Sequence, residues 1–506
     1  MASLDHSHLY KHASGQIEDR RNDRRKQQQD FIRRQRDQLI SSKRPRYFND
    51  NVQDEQYYDS NHVQTLARGL LKHNNSRMDI LKNLCRAFTQ DEALISTFLG
   101  FNREFYFLSV CSVDNALQSL IGILTQSDSD LQEHAAWCIT NICTGNHKQT
   151  LQVTRLAAPY CITYLSGQNL AMQDQCAWAI GNMAGDGKKS RKLLVKQGVT
   201  KPLVSLLNAT SENVIQSAAF ALSNFTREDD INLKEMIDCN VLKYLTNHLQ
   251  FDKEDKISFT ILPDILHLLH HITAKNGYDS VLLSTNIVKL VTKVIRFLTE
   301  SRNYQIKILT PAIRIIGNLA GGLDEFNALI LEEPRILDDL IYWINHNTHR
   351  CINYFILTVA SAKKLGISSE YEFIGGSQVN LTVINESGIE LIKEAIKRLS
   401  WANEIGIEAA MALRNYASLG SDCIQHLARL NALQAVTANL KSADVDKALV
   451  FLDIIQITIA TIPDGKRILN QLNIQEELDL LLYRDDESLR KTASQLLDSF
   501  FAIENS

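Results

Sequence analysis

One eleven-residue pattern recurs along this chain, and a recurring unit of that kind constrains the architecture more than any local propensity does. It reads AAWCITNICTG at 135–145, CAWAIGNMAGD at 176–186, AAFALSNFTRE at 218–228, AIRIIGNLAGG at 312–322 and AAMALRNYASL at 409–419. Weaker copies are ILHLLHHITAK at 265–275 and INYFILTVASA at 352–362. In chain order the starts lie 41, 42, 47, 47, 40 and 57 residues apart, the widest gap holding a polar insertion near 366–387. Apolar segments such as LQSLIGIL, KPLVSLL and VLKYLTNHL precede the copies at a steady offset. Each unit is therefore two or three short helices joined by Gly or polar turns. No unit can bury its apolar face alone, so the units must stack.

A period near ~42 residues is that of armadillo or HEAT arrays. The expected fold is all-α: an armadillo-repeat right-handed superhelix, an α-solenoid, over residues 62–506. Composition agrees, because 7 prolines and 21 glycines are too few to turn a many-stranded chain of 506 residues. The nine cysteines form no CxxC pair, and the polar start, MASLDHSHLYKHASG, is not a signal peptide. No run approaches the ~18 apolar residues of a membrane helix. These features together place the chain, with reduced thiols, in cytoplasm or nucleus and away from membranes.

Charge is concentrated at one end. Residues 20–46 carry eleven Lys/Arg against three Asp, a net +8 in a chain whose total is −4, which leaves −12 on the remainder. Only Phe31, Ile32, Leu39 and Ile40 offer apolar contact there, so this basic arm, residues 1–46, is expected to order on a partner, helical around 19–41. Its partner is nucleic acid, an acidic protein surface or the chain's own body. A polar linker, 47–61, separates it from the repeats.

Within each copy the third and seventh residues stand one turn apart on one helix face. They are Trp137/Asn141, Trp178/Asn182, Phe220/Asn224, His267/His271, Arg314/Asn318, Tyr354/Thr358 and Met411/Asn415. Asn is a poor former of helix interiors, so its return at one phase asks for a reason. Two are available: the amides tie neighbouring repeats together, or they line a groove. As a phase-locked series they favour the groove. Asn both donates and accepts, so a ladder of them grips the backbone of an extended peptide whatever its sequence. Indoles between the rungs make slots for the long stems of Lys and Arg and attract their charged tips. An acidic body favours the same ligand, an extended basic peptide.

The chain at this point resembles the importin-α family, adaptors that carry nuclear-localisation-signal cargo to importin-β. QQQDFIRRQRDQLISSKR is similar to the family's importin-β-binding segment, and AAWCITNICTGNHKQT and CAWAIGNMAGDG resemble its two best-known groove repeats. LNIQEELDLLLYRDDESLRKTASQLLDSFF resembles its last, capping repeat, which implies an export receptor as a further partner. The resemblance implies a major peptide site with Trp137, Trp178 and Phe220 as walls, Asn141, Asn182 and Asn224 as clamps, and Gln175 beside them. It also implies a pocket for one lysine from the Gly145 carbonyl, the Thr150 hydroxyl and the Asp186 carboxylate. That trio suits a primary ammonium, whose three donors and one charge it would match. A weaker minor site would use Arg314, Asn318, Tyr354, Glu408 and Asn415. Arm residues Arg24, Arg25, Lys26, Arg33, Arg34, Arg36, Lys43 and Arg44 would meet importin-β, and Lys43-Arg44-Pro45-Arg46 would occupy the chain's own major site when unloaded.

Departures from the family pattern are specific. Phe220 replaces a groove Trp, Tyr354 and Met411 replace both minor-site tryptophans, Thr358 replaces an Asn, and His267 and His271 replace a Trp and a Tyr. Trp343 and Trp401 lie outside the ladder and are expected in the core. The chain also resembles the transmembrane and coiled-coil domain-containing protein 6 group, importin-α-like proteins with a similar basic start. Other chemistry is set aside. GNMAGDGKKS lacks the first glycine of a phosphate loop, and His267, His270 and His271 lack a fourth metal ligand. No GxSxG or HExxH is present, so no enzyme, cofactor or metal is expected. The arm has few aromatics to stack on bases, so nucleic acid is not the expected partner. The competing function is an armadillo scaffold serving one dedicated protein partner outside general import.

Overall fold

A computed structural model describes residues 43–47, 57–72, 76–100, 115–228, 231, 233–251, 258–303, 305–320, 322–345, 392–393, 395–400, 404–417 and 420–501. The arm residues Arg24, Arg25, Lys26, Arg33, Arg34 and Arg36, together with Tyr354, Thr358, Trp401 and the insertion near 366–387, lie outside them. Every regular element among the described residues is helical. They form two compact units, one running to Asn276 and the other from Gly277 onward.

Local sequence sets the helix boundaries. Asp128 accepts from the amides of Asp130 and Leu131 and so starts α1, Ser129–Ile142. Asn146 and Gln149 form a reciprocal capping box at the head of α2, His147–Leu165. Asn169 caps α3, Leu170–Gly185. A second device recurs between units: Asn115, Asn240, Asn431 and Asn473 each adopt a left-handed φ, 71°, 67°, 59° and 55°, directly before a helix. Gly198, at φ 80°, precedes the helix Thr200–Ser205 by two residues. Asn and Gly are the residues that enter this conformation most cheaply.

The pattern copies become the helices of each stack. In the first unit α1 packs on α3, α3 on α4 (Glu212–Thr226), and α4 on α5 (Leu262–Thr273). Their small residues do the close packing: Ala135, Ala136, Cys138, Cys176, Ala177, Ala179, Ala218, Ala219 and Ala221 are fully buried. One further helix belongs to the same stack although its sequence departs from the pattern. Arg77–Gln90 packs on the other side of α1, with Lys82 and Arg86 where the pattern would put an aromatic and an Asn. In the second unit the copies at 312–322 and 409–419 lie on Ile306–Ala320 and Glu404–Ala417, and the latter packs on Val445–Thr461.

The boundary read at residue 61 falls inside Ser60–Leu70, the first helix among the described residues. Tyr58 is already buried, its hydroxyl donating to Asn83 Oδ1 at 2.9 Å, so the packed part includes the end of the polar linker. Trp343 is buried, and its indole N–H donates to Thr299 Oγ1 at 2.8 Å. Among the described residues no helix is long and apolar enough to cross a membrane.

Candidate functional site

Asn141, Asn182 and Asn224 occupy the same turn of α1, α3 and α4, and all three are buried. Their amide groups obey one rule. Asn141 Nδ2 donates to the Cys85 carbonyl at 3.2 Å, Asn182 Nδ2 to the Thr140 carbonyl at 3.0 Å, and Asn224 Nδ2 to the Gly181 carbonyl at 2.9 Å. Thr140 and Gly181 are the residues immediately before the preceding rung. Each Asn thus ties its helix to the previous one, and a ladder of ties fixes the spacing of the rungs.

The same amides face an extended strand of the chain itself, Lys43–Arg46. Asn182 brackets Arg44, accepting from its N–H at 2.8 Å and donating to its carbonyl at 3.0 Å. Asn141 brackets Arg46 in the same way, at 2.9 and 3.1 Å. Trp178 Nε1 adds a bond to the Arg44 carbonyl at 2.7 Å, and Trp137 Nε1 to the Arg46 carbonyl at 3.1 Å. Successive rungs therefore hold residues two apart, and the strand runs against the order of the repeats. Residues two apart in an extended chain point the same way, so Arg44 and Arg46 share one side. Pro45 falls between rungs, where no amide proton is called for.

Lys43 points elsewhere. Its Nζ donates to the Gly145 carbonyl at 2.7 Å, Thr150 Oγ1 at 2.8 Å and Asp186 Oδ1 at 2.9 Å. Three acceptors for three donors saturate the ammonium, and one carboxylate balances its charge. The Asp186 side chain is only 2% exposed. Its other oxygen meets His147 Nδ1 at 2.8 Å and accepts from Ser190 Oγ at 3.0 Å, so it is held in place from behind.

The arginines take a different kind of slot. Arg44 lies over the Phe220 ring, 4.3 Å from its centroid, and pairs with Asp264 Oδ1 at 2.9 Å. Arg46 lies 4.8 Å from the Trp178 ring and 5.9 Å from Trp137, and pairs with Asp174 Oδ2 at 2.5 Å. Phe220 thus stacks its ring on the Arg44 guanidinium.

Placement of the sequence-derived residues follows. Trp137, Asn141, Gly145, Thr150, Trp178, Asn182, Asp186 and Phe220 converge on the 43–46 strand, with Asn224 as the next rung. Gln175 is buried beside them, but among the described residues its side chain makes no hydrogen bond to the strand; Asp174, one residue earlier, makes the contact. Asp174, Asp264, Gln216 and Ser217 were not read from sequence. A signal for them existed: each stands three or four residues before the third-position residue of its copy, on the same face. Arg314 and Asn318 stand one turn apart on Ile306–Ala320, Asn318 buried. Glu408 and Asn415 lie on Glu404–Ala417, their side chains outside what is described.

Among known families, the model of the armadillo/beta-catenin-like repeat matches residues 112–144 and 187–227. Among curated proteins, importin subunit alpha-9 of Arabidopsis thaliana is 24% identical over 388 residues, 74% of this chain and 72% of that protein. Importin subunit alpha-2 of Oryza sativa subsp. japonica is 26% identical over 395 residues, covering 74% and 70%. They support a divergent member of the importin-α family. The importin subunit alpha-2 of Arabidopsis thaliana is 30% identical, over 30% of this chain and 33% of its own length. The crystal structure of an engineered protein superposes with a TM-score of 0.66 at 18% identity, covering 88% of this chain and 99% of that one. The chain is therefore an all-α solenoid of armadillo repeats.

Proposed function

We propose that this chain is a nuclear import adaptor: its Asn/Trp groove binds basic nuclear-localisation-signal peptides, and its N-terminal arm binds importin-β. Similarity to importin alpha subunits and to armadillo repeats supports an import adaptor or an armadillo scaffold. The observation that carries the finer reading is Lys43, whose ammonium is saturated by Gly145, Thr150 and Asp186 while Asn182 and Asn141 hold the backbone beyond it. A groove that fits Lys-Arg-Pro-Arg fits a basic signal in the same register. On this reading Lys43–Arg46 is a self-ligand, tethered to the groove on one chain and therefore competing at an effective concentration of order millimolar. Engagement of the arm by importin-β would withdraw it and admit cargo. The adaptor would shuttle between cytoplasm and nucleus, with the C-terminal repeat, closed by Glu487–Phe501, meeting an export receptor.

Titration of a fluorescent peptide containing Lys-Arg-Pro-Arg tests the groove, using the full chain and its Lys43→Ala variant. The variant should bind at least about tenfold more tightly, because a buried, hydrogen-bonded charge pair no longer competes. Equal affinity would remove the self-ligand. Capture of importin-β by the full chain tests the arm, and failure of that capture would leave the scaffold function instead.

A further inference from the structure

Helix Lys188–Lys196 presents Lys188, Lys189, Lys192 and Lys196 to solvent, and α2, which packs on it, presents Lys148 and Arg155. Neither helix contains an acidic residue. The two belong to successive repeats, whose pattern copies start 41 residues apart, at 135 and 176. Lys148 and Lys189 therefore hold equivalent positions on neighbouring helices, and so do Arg155 and Lys196. Lys188, Lys192 and Lys196 follow at four-residue steps, a row about 12 Å long at the helical rise. Among the described residues none of the six enters an ion pair. The sign changes on either side of this stretch. Glu92, which accepts from Asn146 Nδ2 at 2.7 Å, stands before it, and Glu235 and Asp238 on Lys234–Asp238 come after. Solubility is served by interspersed signs, so a one-sign field on an otherwise acidic body asks for another cause. Apolar surface adjoins it: Leu156 and Tyr160, one turn apart on α2, are 39% and 40% exposed.

We infer that this face, α2 together with Lys188–Lys196, docks a short acidic segment of a partner protein. Its carboxylates meet the lysines and Arg155, and an apolar side chain of the same segment covers Leu156 and Tyr160. Size favours a short ligand. Two helices packed about 8–10 Å apart and a row about 12 Å long match only a handful of residues. A long polyanion such as nucleic acid would run on to Glu92 in one direction or Glu235 and Asp238 in the other. Tyr160 is also a single ring, where single-stranded nucleic acid asks for a series of them. The basic field speeds encounter with an acidic partner and repels basic ones, while Leu156 and Tyr160 supply contact that salt does not screen. The face is separate from the groove, because other residues hold Lys43–Arg46.

The test titrates a labelled Glu-rich peptide carrying Leu and Phe into the full chain, beside the same peptide with Gln for every Glu. One variant combines Lys188→Glu, Lys192→Glu and Lys196→Glu. Its control combines Lys289→Glu, Lys307→Glu and Lys491→Glu, exposed lysines elsewhere with the same change of charge. The first variant should weaken the Glu-rich peptide at least about tenfold, since attractive pairs become repulsive, and the control less than about twofold. Leu156→Ala with Tyr160→Ala should weaken it about fivefold through lost apolar contact, at unchanged salt dependence. Equal losses in the two lysine variants would overturn the inference, because total charge alone would matter. Binding that survives the first variant and vanishes on removal of residues 1–46 would overturn it and assign the acid to the basic arm. Equal affinity for the Gln peptide would overturn it as well. So would tighter, Lys192-dependent binding of a labelled single-stranded oligonucleotide, which would assign the face to nucleic acid. Every substituted lysine is exposed, so the folded state is retained and a thermal melt checks it.

Discussion

Gly181 lies against Phe220 so closely that a β-carbon on it would stand 2.6 and 2.7 Å from Cε1 and Cδ1 of the ring. The Ala221 Cα would be only 3.3 Å away, so the ring cannot simply retreat along its own helix. The pair joins α3 to α4 at the point where Phe220 carries the Arg44 guanidinium. Gly181→Ala should therefore cost about 1–3 kcal/mol of stability, the usual penalty for overpacking, and should also weaken a peptide bearing arginine at the second position. Adding Phe220→Leu should restore most of the stability and none of the affinity. Denaturant melts and peptide titration of the single and double variants check both halves. A Gly181→Ala protein with unchanged stability would show that the ring has room the structure does not give it.

Much of this site was legible because its parts repeat. Trp137, Trp178, Asn141 and Asn182 announce themselves by phase, and three acceptors for one ammonium can be recognised from chemistry once Gly145, Thr150 and Asp186 are brought together. The structure also dissolves a choice that the sequence left open. Each Asn ties its helix to the preceding one through a carbonyl, and Asn141 and Asn182 clamp the strand as well. What stayed hidden was hidden for physical reasons. The copy at Arg77–Gln90 carries Lys82 and Arg86 at the diagnostic positions, so the pattern had nothing to match. Asp174 and Asp264 look like ordinary surface acids in one dimension, and only burial against Ser217 and Gln216 marks them as part of the groove.

Asp186 supplies a carboxylate to the lysine pocket, and both of its oxygens are engaged. Asp186→Asn keeps the shape and removes the charge. A hydrogen bond to a charged group is worth about 1.5–3 kcal/mol, so peptide affinity should fall at least about tenfold in the Lys43→Ala background. In the otherwise unchanged chain the same substitution weakens the self-ligand too, and added peptide should show a much smaller change. Titrations at one ionic strength, since screening alters both, separate the two cases. Equal losses in both backgrounds would argue against competition for one pocket.

Alkaline pH should loosen the first unit. Burial pushes the Cys85 and Cys143 thiols up, the former also through its neighbour Cys138, and a hydrogen bond with Cys161 followed by burial does the same for Cys176. The sign follows from linkage: the folded state keeps protons that the unfolded chain releases once pH passes the ordinary thiol range, near ~8.5. The stabilisation is whole below that pH and is lost as pH rises above it. The urea midpoint should hold between pH 7 and 8 and fall between pH 9 and 10. Cys143→Ala should make that fall shallower, and an unchanged slope would exclude this thiol as a contributor.

Trp178 and Asn182 stand one turn apart on α3 and both reach the Arg44 carbonyl, yet their loss should read differently. Trp178 is an anchor whose polar group serves the strand, and truncating such an anchor typically costs ~2 kcal/mol or more of binding. Trp178→Ala should then abolish measurable peptide binding at modest cost to the fold. Asn182 has a second duty, since its Nδ2 satisfies the buried Thr140 carbonyl. Asn182→Ala leaves that carbonyl without its side-chain donor, a penalty of about 1–3 kcal/mol, and removes both backbone bonds to the residue at Arg44's position. It should lower the unfolding midpoint as well as the affinity. Asn224→Ala is the control, because its amide donates to the Gly181 carbonyl in the same manner one repeat on. It should destabilise by a similar amount. Thermal melts and peptide titrations of the three variants decide the matter: if Asn182→Ala melts like the unaltered chain, the ladder serves the ligand alone.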